Sequence, residues 1–306
     1  MTKPRIALVI GIICISIFPV LVKLSLTPGL ISAFYRMAIA GALILPYAII
    51  NKKLFIPNKK LLILSIVCGV LFGADVAVWN IAIQQSTATQ ASLLTNLSPI
   101  WVGISSFLFL PNKPSKNFWI GTAVSLIGMF ILVGIDLVAS FNFDLAFIFG
   151  ILSGVFYSIY LLISKKVLSE ISVIPFLTTS ILSSAIFLGG LSYLTNEPFY
   201  GFSNAGWFVL AVQGVVCQLL AWVMVSYATK HMRATRVSLS LLSQALLASL
   251  LAWIFLDETI SFEMIIGGII LLFGIRITFY PKDISFKNLK RKFKNDNGDL
   301  KNNQFV

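Results

Sequence analysis

The 306-residue chain is 58% apolar and 11% charged, with a mean hydropathy of +0.94. Soluble domains average about 45–50% apolar and about a quarter charged, so a soluble globular protein is excluded. The formal net charge of +12 would suggest a nucleic-acid partner in a soluble chain, but here the basic residues sit between apolar runs, where they set membrane orientation, and no nucleic acid is expected.

About 20 apolar residues cross the hydrocarbon core of a bilayer as a helix. In chain order the apolar runs predict spans near residues 6–26, 30–50, 61–83, 88–110, 118–135, 145–164, 172–194, 205–229, 234–256 and 262–280. The first begins after Lys3 and Arg5, as a secretory signal would. It is longer than a signal's apolar region and reaches Lys23 without a small-residue cleavage site, so it reads as a membrane helix. The runs are too long and too uniformly apolar for barrel strands, and a lipid-exposed backbone must satisfy its own hydrogen bonds, which a helix does. Cys14, Cys68 and Cys217 fall singly inside these runs and read as small buried residues, not as disulfide partners or metal ligands. The single histidine, His231, falls between Lys230 and Arg233 and is assigned to a loop. No metal site is expected.

The connections test the count, because cytoplasmic loops collect lysine and arginine. One alternating set holds Lys3 and Arg5; Lys52, Lys53, Lys59 and Lys60; Lys113 and Lys116; Lys165 and Lys166; Lys230, Arg233 and Arg236; and the tail from Lys282 to Lys301. The opposite set has no basic residue and carries Asp136, Asp144, Glu197, Asp257, Glu258 and Glu263. Both termini are therefore expected in the cytoplasm, with an even number of spans. Residues 282–306 read as a basic cytoplasmic tail without fixed structure that marks topology and meets anionic headgroups.

The chain also matches itself at an offset of 146 without a gap. Ala88-Thr89-Gln90-Ala91-Ser92-Leu93 falls on Ala234-Thr235-Arg236-Val237-Ser238-Leu239, Phe109-Leu110 on Phe255-Leu256, Ile120-Gly121 on Ile266-Gly267, and Gly128 on Gly274. The expected fold is an all-α integral membrane protein of ten transmembrane helices, built as two five-helix repeats over residues 1–137 and 138–281. Five is odd, so the second repeat enters the membrane from the opposite side and the repeats are inverted. Inverted repeats are a common basis of secondary transporters, whose site lies near the midplane between the halves.

Phe18-Pro19-Val20-Leu21-Val22-Lys23, Phe34-Tyr35-Arg36, Leu94-Thr95-Asn96-Leu97-Ser98-Pro99 and Leu256-Asp257-Glu258 followed by Ile266-Gly267 resemble the drug/metabolite transporter superfamily, specifically its EamA-type ten-helix members, over residues 6–280. In that family an acidic residue follows the fourth and ninth helices. Glu258 fits the second position, whereas its repeat partner is Asn112. The resemblance implies a permease or exporter of small metabolites or drug-like solutes, with export favoured over uptake.

With the residues already counted in the connections set aside, four ionisable residues lie within spans, where burial is costly and such groups face the bundle interior or a pathway. Arg276 is close enough to a cytoplasmic end to reach the headgroups. At about 1.5 Å per residue, Lys23, Arg36 and Asp75 lie ~5, ~9 and ~12 Å from the external ends of their helices. They form a candidate polar cluster, two cations to one anion, whose surplus charge suits a carboxylate or phosphate on a solute; the competing reading is a salt bridge that fixes packing. Asp75 is the candidate proton-coupling residue, since burial and neighbouring cations act on its proton in opposite senses.

At the midplane, Asn96, Ser98 and Gln244 are candidate solute ligands, with Gln244 on the repeat position of Ser98. Pro99 leaves a helix carbonyl free for solute or water. Trp79, Asn80, Gln218, Trp222, Tyr157 and Tyr160 are further candidate lining residues. No phosphate-binding loop, H-E-x-x-H or G-x-S-x-G occurs, so neither ATP-driven transport nor a familiar hydrolase is indicated.

The expected protein is thus a multi-pass transporter of a bacterial cytoplasmic membrane. It moves a small-molecule substrate by alternating access, driven by protons or by exchange, without a cofactor, as a monomer or homodimer in the lipid bilayer. It is not expected to be an enzyme. The alternative on the same scaffold is a non-transporting sensor or a membrane-embedded enzyme.

Overall fold

The computed structural model describes residues 2–24, 26–56, 58–85, 96–109, 113–133, 145–257 and 259–280. Asn112, Glu258 and the basic tail, all singled out by the sequence, lie outside the described residues. The described chain is helical: α1 (Thr2–Lys23), α2 (Gly29–Ile50), α3 (Lys59–Gln85), α4 (Ser98–Phe109), α5 (Lys116–Val133), α6 (Leu145–Glu170), α7 (Val173–Leu194), α8 (Asn204–His231), α9 (Ala234–Leu256) and α10 (Phe262–Thr278). Eight of these are long and apolar enough to cross a membrane; α4 and α10 are shorter, with 12 and 17 described residues. The protein is an all-helical membrane protein. Several buried hydroxyls are satisfied within their own helices, where Ser16 donates to Ile12 O, Ser65 to Leu61 O and Thr229 to Val225 O, so these serines and threonines stay compatible with an apolar surround.

Packing follows a regular exchange. Helix α3 packs on α6 and α7, α8 on α1 and α2, α4 on α6, and α9 on α1, while α2 pairs with α7 and α5 with α10. Replacing each helix by the one five places away reproduces the same set of pairs. The α5–α10 crossing is close along its length. Gly121 lies against Gly274 and Thr278, and Gly128 against Gly267 and Leu271, so the two helices run antiparallel. A Cβ on Gly128 would stand 2.6 Å from Gly267 O, and only glycine permits that approach. Ser125 donates to Leu271 O across the crossing at 3.1 Å, joining residues 146 apart in the chain.

Four local features differ from expectation. Helix α6 continues to Glu170, so Lys165 and Lys166 stand in its last turns and not in a connection; no glycine or proline interrupts the chain before Pro175. His231, assigned to a loop, is the last residue of α8, with its Nδ1 2.8 Å from Tyr227 O, and the chain turns extended at Met232. Residues Gln213–Leu220 of α8 wind as a π-helix, which hydrophobic patterning does not reveal. Helix α9 tightens for a single residue at Leu242, where Leu242 N donates to Leu239 O and Ala245 N to Leu242 O. That break falls on the repeat position of Asn96, itself in the turn before α4.

Basic residues gather at one end of the bundle. Lys165 Nζ donates to Thr229 O and Lys230 O, both at 2.8 Å, and Lys230 Nζ donates to Ile171 O at 2.6 Å. These cations satisfy carbonyls left over at helix C-termini. Arg236 Nε donates to Thr278 O, Asn117 donates to Tyr280 O, and the guanidinium groups of Arg5 and Arg236 lie 5.1 and 5.4 Å from the Phe279 ring. Elsewhere, Tyr35 donates to Phe199 O and packs edge-on against Trp207 at 5.0 Å, fastening α2 to the connection before α8.

Candidate functional site

A cavity of about 390 Å³ opens among α1, α2, α3, α4, α5, α6, α8 and α9, so its wall draws on both sequence halves. One side is aromatic. Phe72 meets Trp222 edge-on at 4.6 Å, and Tyr160, buried behind them, lies 5.0 Å from Phe72 and 5.7 Å from Trp222. Phe18 and Trp79 stand 6.0 Å apart on the facing helices.

Arg36 and Asp75 supply the charges, each only 7% exposed. The Arg36 guanidinium lies over the Phe18 ring, 4.3 Å from its centroid, and its Nε has no hydrogen-bond partner. Asp75 accepts a hydrogen bond from Ser153 Oγ at 2.5 Å, linking α3 to α6. Among the described residues no salt bridge within 4.0 Å joins Arg36 to Asp75, and the two opposite charges attract each other across the cavity at longer range.

Of the residues proposed from sequence, Asn96, Ser98, Gln244, Trp79, Trp222, Tyr157, Arg36 and Asp75 line this cavity together. Gln218 does not. It is buried beside the cavity in the π-helical segment, its Oε1 without a partner, while its neighbour Cys217 reaches the wall. The extra residue per turn of a π-helix shifts which side chain faces inward, and reading α8 as an ordinary helix hides that shift. The side chains of Lys23 and Asn80 lie outside the described residues.

Sequence reasoning missed Phe18, Phe72 and Ser238 on the wall and Ser153 behind it. Phe18 was signalled by its place in the Phe18-Pro19 segment, and Ser238 by its repeat match to Ser92. Phe72 and Ser153 carry no sequence signal, since each is an ordinary residue in an apolar run. Tyr157 presents a buried hydroxyl with no hydrogen-bond partner. Among the described residues the wall combines apolar faces, one cation, one anion and a few amide and hydroxyl groups, the composition of a small-molecule site.

The EamA-like transporter family profile matches the chain twice, over residues 3–134 and 144–280. The chain is 25% identical to the uncharacterized transporter YdfC of Bacillus subtilis over 253 residues, covering 81% of this chain and 80% of that protein. It is 26% identical to an uncharacterized transporter of Archaeoglobus fulgidus over 249 residues, covering 80% and 85% respectively. A solved crystal structure superposes with a TM-score of 0.76 at 16% identity, covering 91% of this chain and 97% of its own, and shares the fold. With the helical membrane architecture and a family match along nearly its whole length, the chain belongs to the EamA-like transporter family and is a multi-pass membrane transporter.

Proposed function

We propose that the protein is a secondary transporter that moves a small organic solute by alternating access through the cavity bearing Arg36 and Asp75. The observation that carries this reading is the shared wall: α1 to α5 supply Arg36, Asp75, Trp79 and Ser98, and α6 to α9 supply Tyr157, Trp222 and Gln244. A site built from both halves changes shape when the halves move against each other, which is what alternating access requires. Irregular backbone supports it. The turn at Asn96 and the tightened residue at Leu242 adjoin Ser98 and Gln244 on the wall, and non-helical backbone at membrane depth is tolerated where it lines a cavity.

In this reading the repeats are residues 1–137 and 138–281, oppositely oriented, and the end that gathers Lys165, Lys230 and Arg236 faces the cytoplasm of a cell membrane together with both termini. Asp75 is the candidate site of proton coupling, with solute exchange the competing drive. Asn96, Ser98 and Gln244 orient the solute, Trp79, Tyr157 and Trp222 contact its apolar part, and Lys23 and Arg36 attract an anionic group.

The test is counterflow in proteoliposomes. Purified protein is loaded with a pool of unlabelled amino acids, organic acids, nucleosides and cationic drugs, and uptake of each labelled solute is followed with and without a pH gradient. The reading predicts transient accumulation of one solute class, reduced at least about tenfold by Gln244→Ala or Arg36→Ala. Binding without movement of any solute would return the scaffold to a sensor. A gradient-driven rate that stays unchanged in Asp75→Asn would remove this residue from coupling.

A further inference from the structure

Away from the cavity, arginines from opposite ends of the chain meet at one ring. The Arg5 guanidinium, from the start of α1, lies 5.1 Å from the Phe279 centroid, and that of Arg236, from the first turn of α9, lies 5.4 Å from it. Arg236 is fixed by donating from Nε to Thr278 O at 3.1 Å, which leaves its two terminal amino groups without a protein acceptor among the described residues. Arg5 and Arg233 both lie close enough to Arg236 for their charges to repel it. Among the described residues no salt bridge within 4.0 Å reaches any of the three. The surroundings add to the positive charge. Arg233 and Arg236 stand at the N-cap and in the first turn of α9, where the helix dipole is already positive, and that turn has neither an acidic residue nor a side-chain cap. Cations favour the other end of a helix, as Arg276 does in the last turn of α10. Membrane orientation requires basic residues at this end of the bundle, but not that three of them share one spot. Like charges gathered at a helix N-terminus repel one another, and an anion between them relieves the repulsion.

We propose that Arg5, Arg233 and Arg236 form a binding site for a phosphate group, carried by the headgroup of an anionic lipid or by a small soluble phosphate. Guanidinium forks donate to phosphate oxygens in pairs, and the Phe279 ring holds two of these forks in place before the ligand arrives. Arg5 and Arg233 are exposed and Arg236 is half-buried, so the site is open to a ligand from water or from the headgroup layer. Basic pockets between membrane helices hold anionic headgroups in this way. None of the three arginines lines the solute cavity, so the site stands apart from the one proposed for transport. Because Arg5 belongs to α1 and the other two to α9, a bound phosphate ties the first half of the chain to the second at this end of the bundle.

The experiment measures binding to the full-length protein in a neutral detergent. The probes are dihexanoylphosphatidylglycerol, dihexanoylphosphatidylcholine, glycerophosphoglycerol and inorganic phosphate. Binding is read as thermal stabilisation and, for the lipids, as adducts retained in native mass spectrometry. The expected result is saturable binding of at least one anionic probe, with phosphatidylcholine, whose phosphate is offset by its own choline, at least about tenfold weaker. Arg5→Gln combined with Arg236→Gln should weaken that binding at least about tenfold, and Arg233→Gln alone about threefold. Arg233 makes no ring contact, so its variant decides the matter if the double variant does not fold. Lys59→Gln combined with Lys60→Gln removes two exposed charges from another basic connection and should change binding by less than about twofold. With the arginine dependence in place, preference for phosphatidylglycerol over both soluble probes upholds the site with a lipid as its ligand, and equal binding of a soluble probe upholds it with free phosphate instead. Binding unchanged in the arginine variants, or weakened as much by the lysine pair, overturns the proposal. So does the lack of saturable binding by every anionic probe. Retention of the wild-type elution volume on size exclusion shows that each variant is folded.

Discussion

Helices α3 and α6 meet as α8 and α1 do, yet the two contacts have opposite chemistry. At the first, Ser153 of α6 donates to Asp75 of α3, and Tyr157 stands one turn further along α6. At the second, the residues 146 positions away are Ala7, Gly11 and Ala221, packed so closely that a Cβ on Gly11 would lie 3.1 Å from Ala221 O and 2.8 Å from Val225 Cγ2. The same arrangement of helices therefore serves as a dry seam at one contact between the halves and as a polar wall at the other. The difference teaches that helix packing and site chemistry are separable: small residues hold the bundle together, and departures from them on the related surface create the site.

The comparison can be broken most severely by copying the acid across. Ala221→Asp buries a carboxyl against the α1 backbone with no serine at Ala7 to donate to it, a loss of about 3–5 kcal/mol, so folded protein should vanish from size exclusion. Gly11→Val overfills the same seam. It should cost about 1–3 kcal/mol and lower the unfolding temperature. By contrast, Asp75→Asn keeps the shape and an acceptor for Ser153; its unfolding temperature should stay near wild type while counterflow falls at least about tenfold. Smallest is Ser153→Ala, which takes one donor from the carboxylate but leaves its charge. A loss of about 1–2 kcal/mol should appear as a several-fold change in apparent affinity with the fold intact. If Asp75→Asn and Ala221→Asp lowered stability alike, Asp75 would be a packing residue and the contrast would collapse.

The fold was legible because its causes are periodic and local. Apolar runs require helices in a bilayer, and the 146-residue offset seen in Gly121 and Gly267 returns as the α5–α10 crossing. Much of the candidate site was legible because polar residues in apolar runs need a reason to be there, as with Arg36, Asp75 and Gln244. What escaped depends on three-dimensional neighbours. The π-helical turn at Gln213–Leu220 brought Cys217 to the wall in place of Gln218, and the phase of an ordinary helix does not contain it. The sequence places Arg36 and Asp75 at similar depth but does not say whether they pair. The structure adds the partners that sequence does not name, Phe18 under the guanidinium and Ser153 beside the carboxyl.

Solute protection of a cysteine on the cavity wall tests the central claim most directly. With Cys14, Cys68 and Cys217 replaced by alanine, Ala248→Cys puts a single thiol on the α9 wall, and its alkylation is timed in liposomes with and without the solute that supports counterflow. Slowing of alkylation at the concentrations that saturate counterflow is the predicted result. Alkylation that proceeds at the same rate while counterflow continues would place the solute's path elsewhere and contradict the account.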